Sequence, residues 1–178
     1  MSEDLPVITR SEVVLRTRVF DVVQATVRFP DGAEVERSMV RHPGAVALVA
    51  IDDQGRWLLV RQYRFPAGQE LLEIPAGTRE PDEAPEVTAA RELREETGFA
   101  ADSIERLGGA WSAPGFCSEY LDFYVATSLR PDPLPHDDDE RLSDPVALSF
   151  DELLRAVAQG KVEDAKTLAA ITLWRIRS

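Results

Sequence analysis

Glu92, Glu95 and Glu96 stand at i, i+3 and i+4 in the run Arg91-Glu92-Leu93-Arg94-Glu95-Glu96. At 3.6 residues per turn, the three carboxylates share one helical face. Each close pair repels by on the order of 1 kcal/mol when partly shielded from water. Two explanations exist for such a cluster. It can be a solvated acidic face, with Arg91 and Arg94 pairing to neighbours. Or it can grip hard divalent cations, which take oxygen ligands. The surrounding segment decides between them.

That segment reads Gly77, five residues, Glu83, seven residues, Arg91-Glu92-Leu93, one residue, Glu95-Glu96, one residue, Gly98-Phe99. It resembles the signature of the Nudix hydrolases at every defined position, and the resemblance extends less specifically from about residue 12 onward. The resemblance implies a loop–helix–loop cradle for magnesium or manganese. In it, Glu92 and Glu96 would be the main metal ligands, Glu95 a further ligand or orienting group, and the Ala76 carbonyl an additional ligand. Glu83 would pair with Arg91 and hold the helix against its loop. Phosphoanhydride cleavage needs neutralised oxygens and an activated water, and bound divalent ions contribute to both.

The remaining chain narrows the resemblance. Trp111-Ser112-Ala113-Pro114-Gly115-Phe116-Cys117-Ser118-Glu119, with Pro114 sixteen residues past Gly98, is similar to the ADP-ribose pyrophosphatase branch, as are Arg61 to Ala67 and Leu72 to Gly77. By that likeness Arg64 contacts the diphosphate, Glu119 lies near the terminal ribose, and Gly115 and Phe116 line the substrate. A guanidinium fork suits phosphate oxygens. The same likeness puts a general base on the loop before the penultimate helix: Glu140, with Asp139 in reserve. Phe20 would stack on adenine in an exchanged-strand homodimer, and Arg37 would reach the substrate from the same unit. His42, His136 and Cys117 have no partners at metal or nucleophile spacing.

These residues need a scaffold. The chain has 178 residues, 44% of them hydrophobic, and a net charge of −12. That bounds it to a globular protein and argues against a nucleic-acid partner, since phosphate backbones want a basic surface. One cysteine excludes an internal disulfide. Met1-Ser2-Glu3-Asp4 carries no basic–apolar leader pattern, and no apolar run approaches the ~18 residues of a membrane span. The expectation is a cytoplasmic protein that takes a small nucleoside diphosphate derivative.

Alternating segments within residues 12–41 predict an antiparallel N-terminal unit, 1–42, turning at Phe29-Pro30-Asp31-Gly32. A second unit, 43–178, carries the signature. Ala45–Ile51 and Trp57–Val60 are dense apolar runs joined by Asp52-Asp53-Gln54-Gly55, a predicted hairpin of buried strands. Leu71–Pro75 predicts a short strand that runs into Ala76-Gly77. Pro85 and Gly98 bracket a helix whose Val87, Ala90 and Leu93 would face the core. Ile104–Ala110 and Tyr120–Thr127 predict strands. Residues 131–145 read as a loop, and Ser149 to Glu152 as a capping box that opens a helix ending near Gly160. A last helix spans about 163–175. The order predicts a mixed sheet with helices on its faces, an α/β/α sandwich of the α+β type preceded by the strand unit.

The activity expected is hydrolysis of ADP-ribose to AMP and ribose 5-phosphate. A different nucleoside diphosphate sugar or dinucleotide, such as GDP-mannose, NADH or FAD, uses the same fold and metal cradle. A nucleotide sensor with little turnover is the non-enzymatic reading.

Overall fold

A computed structural model describes residues 5–135 and 144–177. The chain divides into two compact units. One comprises the N-terminal region to Gly44 together with Trp111–Glu119, and the other runs from Ala45 to Ala110 and from Tyr120 onward.

The first unit is a meander of β1 (Val7–Arg16), β2 (Asp21–Arg28) and β3 (Glu34–Arg41), antiparallel in the order β1-β2-β3. The expected turn is present, with Gly32 at φ 87°, a conformation that suits a residue without Cβ. On β2, Val23 and Ala25 are buried, while most of β1 is exposed. The Trp111–Glu119 segment joins this sheet through Val40, which donates its amide to Phe116 and accepts one from Ser118.

The second unit is built on β4 (Ala45–Ile51), β5 (Trp57–Arg64), β6 (Gln69–Glu73), β7 (Ala76–Thr78), β8 (Phe99–Trp111), β9 (Tyr120–Pro131) and β10 (Val146–Leu148). The sheet runs β10-β5-β4-β9-β8, with β6 paired to β5 and β7 to β4. Strands β4 and β9 are parallel; the other β4 pairings are antiparallel. Helices are α1 (Pro85–Thr97), α2 (Phe150–Ala158) and α3 (Ala165–Arg177).

The apolar run of β4 faces both ways, as a central strand must. Val46, Leu48 and Ala50 pack with Ala89 and Leu93 of α1. Ala45, Ala47 and Val49 pack on the opposite layer with Leu153 of α2 and Ala170 and Ile171 of α3. Trp57 closes that layer, its ring 5.6 Å from Phe150 and edge-on to Trp174 at 6.0 Å. This is the expected sandwich.

Several local expectations change. Leu71–Pro75 is not one strand running into Gly77: β6 ends at Glu73, and β7 leaves for a different neighbour. The strand expected at 104–110 runs from 99 to 111. The last helix starts at Ala165, because Asp164 accepts the amide of Thr167 at 2.9 Å and caps it. On α1 the core face is Ala89 and Leu93, whereas Val87 is 57% exposed. The apolar spacing misled by a fraction of a turn, since the inward face of α1 also carries buried Glu92 and Glu96.

Candidate active site

The second unit gathers Ala76, Glu83, Arg91, Glu92, Glu95 and Glu96 around α1. The helix begins with Pro85 in its first turn and ends at Gly98, φ 76°, as the sequence predicts. Ahead of it, Ala76 and Gly77 pair with Ala47 and Val46. Glu96 accepts the Ala76 amide at 2.8 Å. Gly77 lies against Glu92 so closely that a Cβ there would stand 1.9 Å from the carboxylate carbon. Glu92 and Glu96 are almost fully buried, at 6% and 2% exposure. Burial of like charges is unfavourable unless cations and hydrogen bonds offset it.

Arg91 is the cation among them. Its Nε and Nη2 clasp both oxygens of Glu83 at 3.1 and 3.0 Å. Its Nη1 bridges Glu92 and Glu95 at 2.7 and 2.8 Å, and Nη2 also reaches the Thr78 carbonyl. The Arg91 guanidinium, together with the Thr88 hydroxyl and Glu80 amide, holds the Glu83 carboxyl down to about 2 against desolvation. The Glu83, Glu92 and Glu95 carboxylates push Arg91 above its ordinary value, against the desolvation that opposes them. Because the folded-state Glu83 titrates below its ordinary 4.5, its contribution is whole above that value and lost as pH falls toward 2. Thermal scans from pH 7 to 2.5 should therefore show Tm falling below about pH 4.5, and falling less in Glu83→Gln. Equal slopes in the two proteins would remove Glu83 as a source of acid lability.

The hard oxygen donors, the cation they already gather and the backbone stripped to hydrogen at Gly77 fit a divalent-ion cradle. Among the described residues, no three acidic, imidazole or thiol side chains converge on one point. Arg91 Nη1 instead bridges Glu92 and Glu95. Gly77→Ala tests the cradle. The three atoms nearest the added methyl all belong to the Glu92 carboxylate rather than to backbone, so Tm should stay within a few degrees while kcat drops about tenfold or more as Glu92 is displaced. Full activity in that variant would show the close approach to be incidental.

Arg64, expected on a diphosphate, is half-exposed and lays Nε and Nη2 on the buried carboxylate of Glu73 at 2.7 and 2.9 Å. Lys166 meets the same carboxylate and also Asp164 at 3.1 Å. Burial holds the Lys166 amine well below its ordinary value, and the Arg64 charge adds to this. Glu73, Lys166 and Thr167 did not stand out in the sequence. The available signal was one acid inside the apolar run Leu71-Leu72-Glu73-Ile74.

Phe20, Arg37, Gly115, Phe116 and Glu119 belong to the first unit. Phe20 precedes β2 and is partly exposed, and its carbonyl accepts from Thr17. Arg37, on β3, is exposed and donates to the Glu36 carbonyl. Gly115 and Phe116 sit in a turn that returns the Phe116 amide to Ala113, with the Phe116 ring 61% exposed. Glu119 is half-buried, 3.6 Å from His42 Nδ1, which accepts the Gly44 amide. Glu140 and Asp139 lie outside the described residues.

A sequence profile of the NUDIX domain matches residues 40–171. A methanol dehydrogenase activator of Bacillus methanolicus is 37% identical over 169 residues, 94% of this chain and 91% of the relative. An ADP-ribose pyrophosphatase of Bacillus subtilis is 34% identical over 167 residues, 93% and 90% of the two chains. A crystal structure of an ADP compounds hydrolase superposes with a TM-score of 0.82 at 27% identity, covering 96% of this chain and 92% of that one.

Proposed function

This chain belongs to the Nudix family, and on that premise we propose that it hydrolyses the diphosphate bond of ADP-ribose to AMP and ribose 5-phosphate. The observation that carries the reading is the burial of Glu92 and Glu96 against the bare backbone of Gly77, where the single charge of Arg91 offsets only part of the cluster. A helix that only covered a core would gain nothing from two charged groups there. The full-length likeness to an ADP-ribose pyrophosphatase supports the substrate.

Glu92, Glu96, Glu95 and the Ala76 carbonyl are the groups that would hold magnesium or manganese. Bound divalent ions neutralise phosphate oxygens and make water nucleophilic near neutral pH. Water adds to one phosphorus, the bridging P–O bond breaks, and the freed oxygen leaves on the second phosphate. Arg91 keeps Glu92 and Glu95 oriented through its bridging nitrogen. Arg64 binds diphosphate oxygens, its plane set by Glu73. Glu140, with Asp139 in reserve, takes the water's proton. Phe20 stacks on the base, Arg37 and Glu119 bind the substrate's polar groups, and Gly115 and Phe116 line it.

A second copy of the chain completes the assembly. The exposed Leu5, Val7, Ile8, Val14 and Leu15 on and before β1 support this reading. No helix among the described residues is long and apolar enough to cross a membrane.

Purified protein should release AMP from ADP-ribose only when magnesium or manganese is added. A tenfold higher kcat/KM on GDP-mannose would move the substrate to another nucleoside diphosphate sugar. Absence of metal-dependent turnover on any nucleotide would leave a sensor on the Nudix scaffold.

A further inference from the structure

Four consecutive residues, from the last of β6 to the first of β7, each hold a different tertiary partner. The Glu73 carboxylate takes Arg64 and Lys166. The Ile74 amide donates to the Thr167 hydroxyl oxygen at 3.0 Å. The Pro75 carbonyl accepts the Leu48 amide at 2.8 Å. The Ala76 amide donates to Glu96 at 2.8 Å. Two of these partners, Lys166 and Thr167, stand in the first turn of α3, more than 90 residues away in sequence.

The α3 groups also bind one another. Asp164 Oδ2 accepts the Thr167 hydroxyl at 2.6 Å and the Thr167 amide at 2.9 Å. Asp164 Oδ1 takes Lys166 at 3.1 Å. A hydroxyl has a single proton. Since Thr167 gives its proton to Asp164, it turns a lone pair toward the Ile74 amide. Glu73, Lys166, Asp164, Thr167 and Ile74 therefore form a ring closed by the Glu73–Ile74 peptide bond. Thr167 is fully buried and Glu73 nearly so, at 0% and 1% exposure. Apolar side chains would hold α3 against the sheet without the desolvation that a buried ion pair imposes. What the ring adds is direction, since a connected polar network admits one arrangement.

Direction matters here because β7 has only three residues, Ala76, Gly77 and Thr78. So short a ladder of small side chains does little to resist slippage, and register sets which groups face the site.

We propose that the first turn of α3 positions the metal cradle, with Thr167 as the central positioning residue acting through Ile74 and Ala76 on Glu96. The inference rests on the reading that Glu96 and Ala76 hold a divalent cation.

The test is Mn2+ binding to substrate-free protein, followed by the electron paramagnetic resonance signal of free Mn2+, with Tm measured alongside. Thr167→Val keeps the shape and removes the hydroxyl, so Mn2+ should bind about 10-fold weaker, the low end of the loss for a ligand's direct partner, because Thr167 acts one step further out through Ile74. Thr167→Ser restores the hydroxyl and should return affinity to within about threefold of the parent. Leu153→Ala, which hollows the α2 layer and removes none of the ring's hydrogen bonds, should lower Tm at least as far and leave Mn2+ affinity within about threefold. Should Thr167→Val not fold, Asp164→Asn weakens the hydroxyl's anchor and should bind Mn2+ several-fold less tightly. Parent-like affinity in Thr167→Val, or in Asp164→Asn where that variant stands in, overturns the inference. So does an equal loss in Leu153→Ala, which would mean that general loosening is the cause. If the parent protein itself takes up no Mn2+, the metal reading fails and the inference falls with it.

Discussion

Glu96→Gln should fold normally and lose about 10²-fold or more in kcat at saturating magnesium, equivalent to about 2.7 kcal/mol of transition-state stabilisation. The substitution keeps the length of the side chain. Its amide oxygen can still accept the Ala76 N–H that Glu96 accepts at 2.8 Å, so the connection to β7 survives. What disappears is one negative charge and one hard oxygen donor at a site 2% exposed. The metal-free variant should melt at or above the parent temperature, because a buried charge beside Glu92 is gone. The two signs, lower activity with equal or higher Tm, are opposite to those of a structural acid. Parent-like kcat with parent-like magnesium dependence would take Glu96 out of the site.

The second large effect is on stability. Arg91→Met keeps the length of the stem but removes the guanidinium that binds Glu83, Glu92 and Glu95. Taking one partner from a buried ion pair costs about 3–5 kcal/mol, and the partial exposure of Arg91 places this case near the lower end. For a domain of this size, each kcal/mol moves Tm by about 2–4 °C, so the drop should be on the order of 10 °C. Magnesium should recover part of it, since a bound divalent ion replaces the missing positive charge between Glu92 and Glu95 and stabilises only the folded state. Differential scanning calorimetry with and without about 10 mM magnesium, an excess over a weak site, reads both effects. A Tm within about 2 °C of the parent would mean that solvent already screens these carboxylates.

The helix with its three glutamates was legible because its evidence is local. Pro85, Gly98 and the i, i+3, i+4 spacing all lie within one short stretch, and helix geometry alone brings Glu92, Glu95 and Glu96 to one face. The hairpin of β4 and β5 and the capping box at Ser149 were legible for the same reason: each is closed by neighbours in the chain. The Glu83–Arg91 pair was carried by a resemblance, and the structure places those side chains in a bidentate contact.

The inward face of α1 was misread, because apolar spacing points to Val87 and Ala90 only if every inward position is apolar. The helix instead turns Glu92 and Glu96 inward, toward Gly77 and Ala76, and leaves Val87 in solvent. A hydrophobic pattern cannot register a charge that the fold turns inward. The split of Leu71–Gly77 into two strands was invisible for a related reason: β6 and β7 differ only in the neighbours they choose, β5 and β4.

The sequence by itself determined which acids could do chemistry together, because helix spacing puts Glu92, Glu95 and Glu96 on one face within a few consecutive residues. Tertiary structure alone decided what holds that chemistry in place. Glu73 finds Lys166, and Ile74 finds Thr167, across 93 residues. Such pairings follow from how α3 packs on the sheet, and no local periodicity encodes a partner so distant.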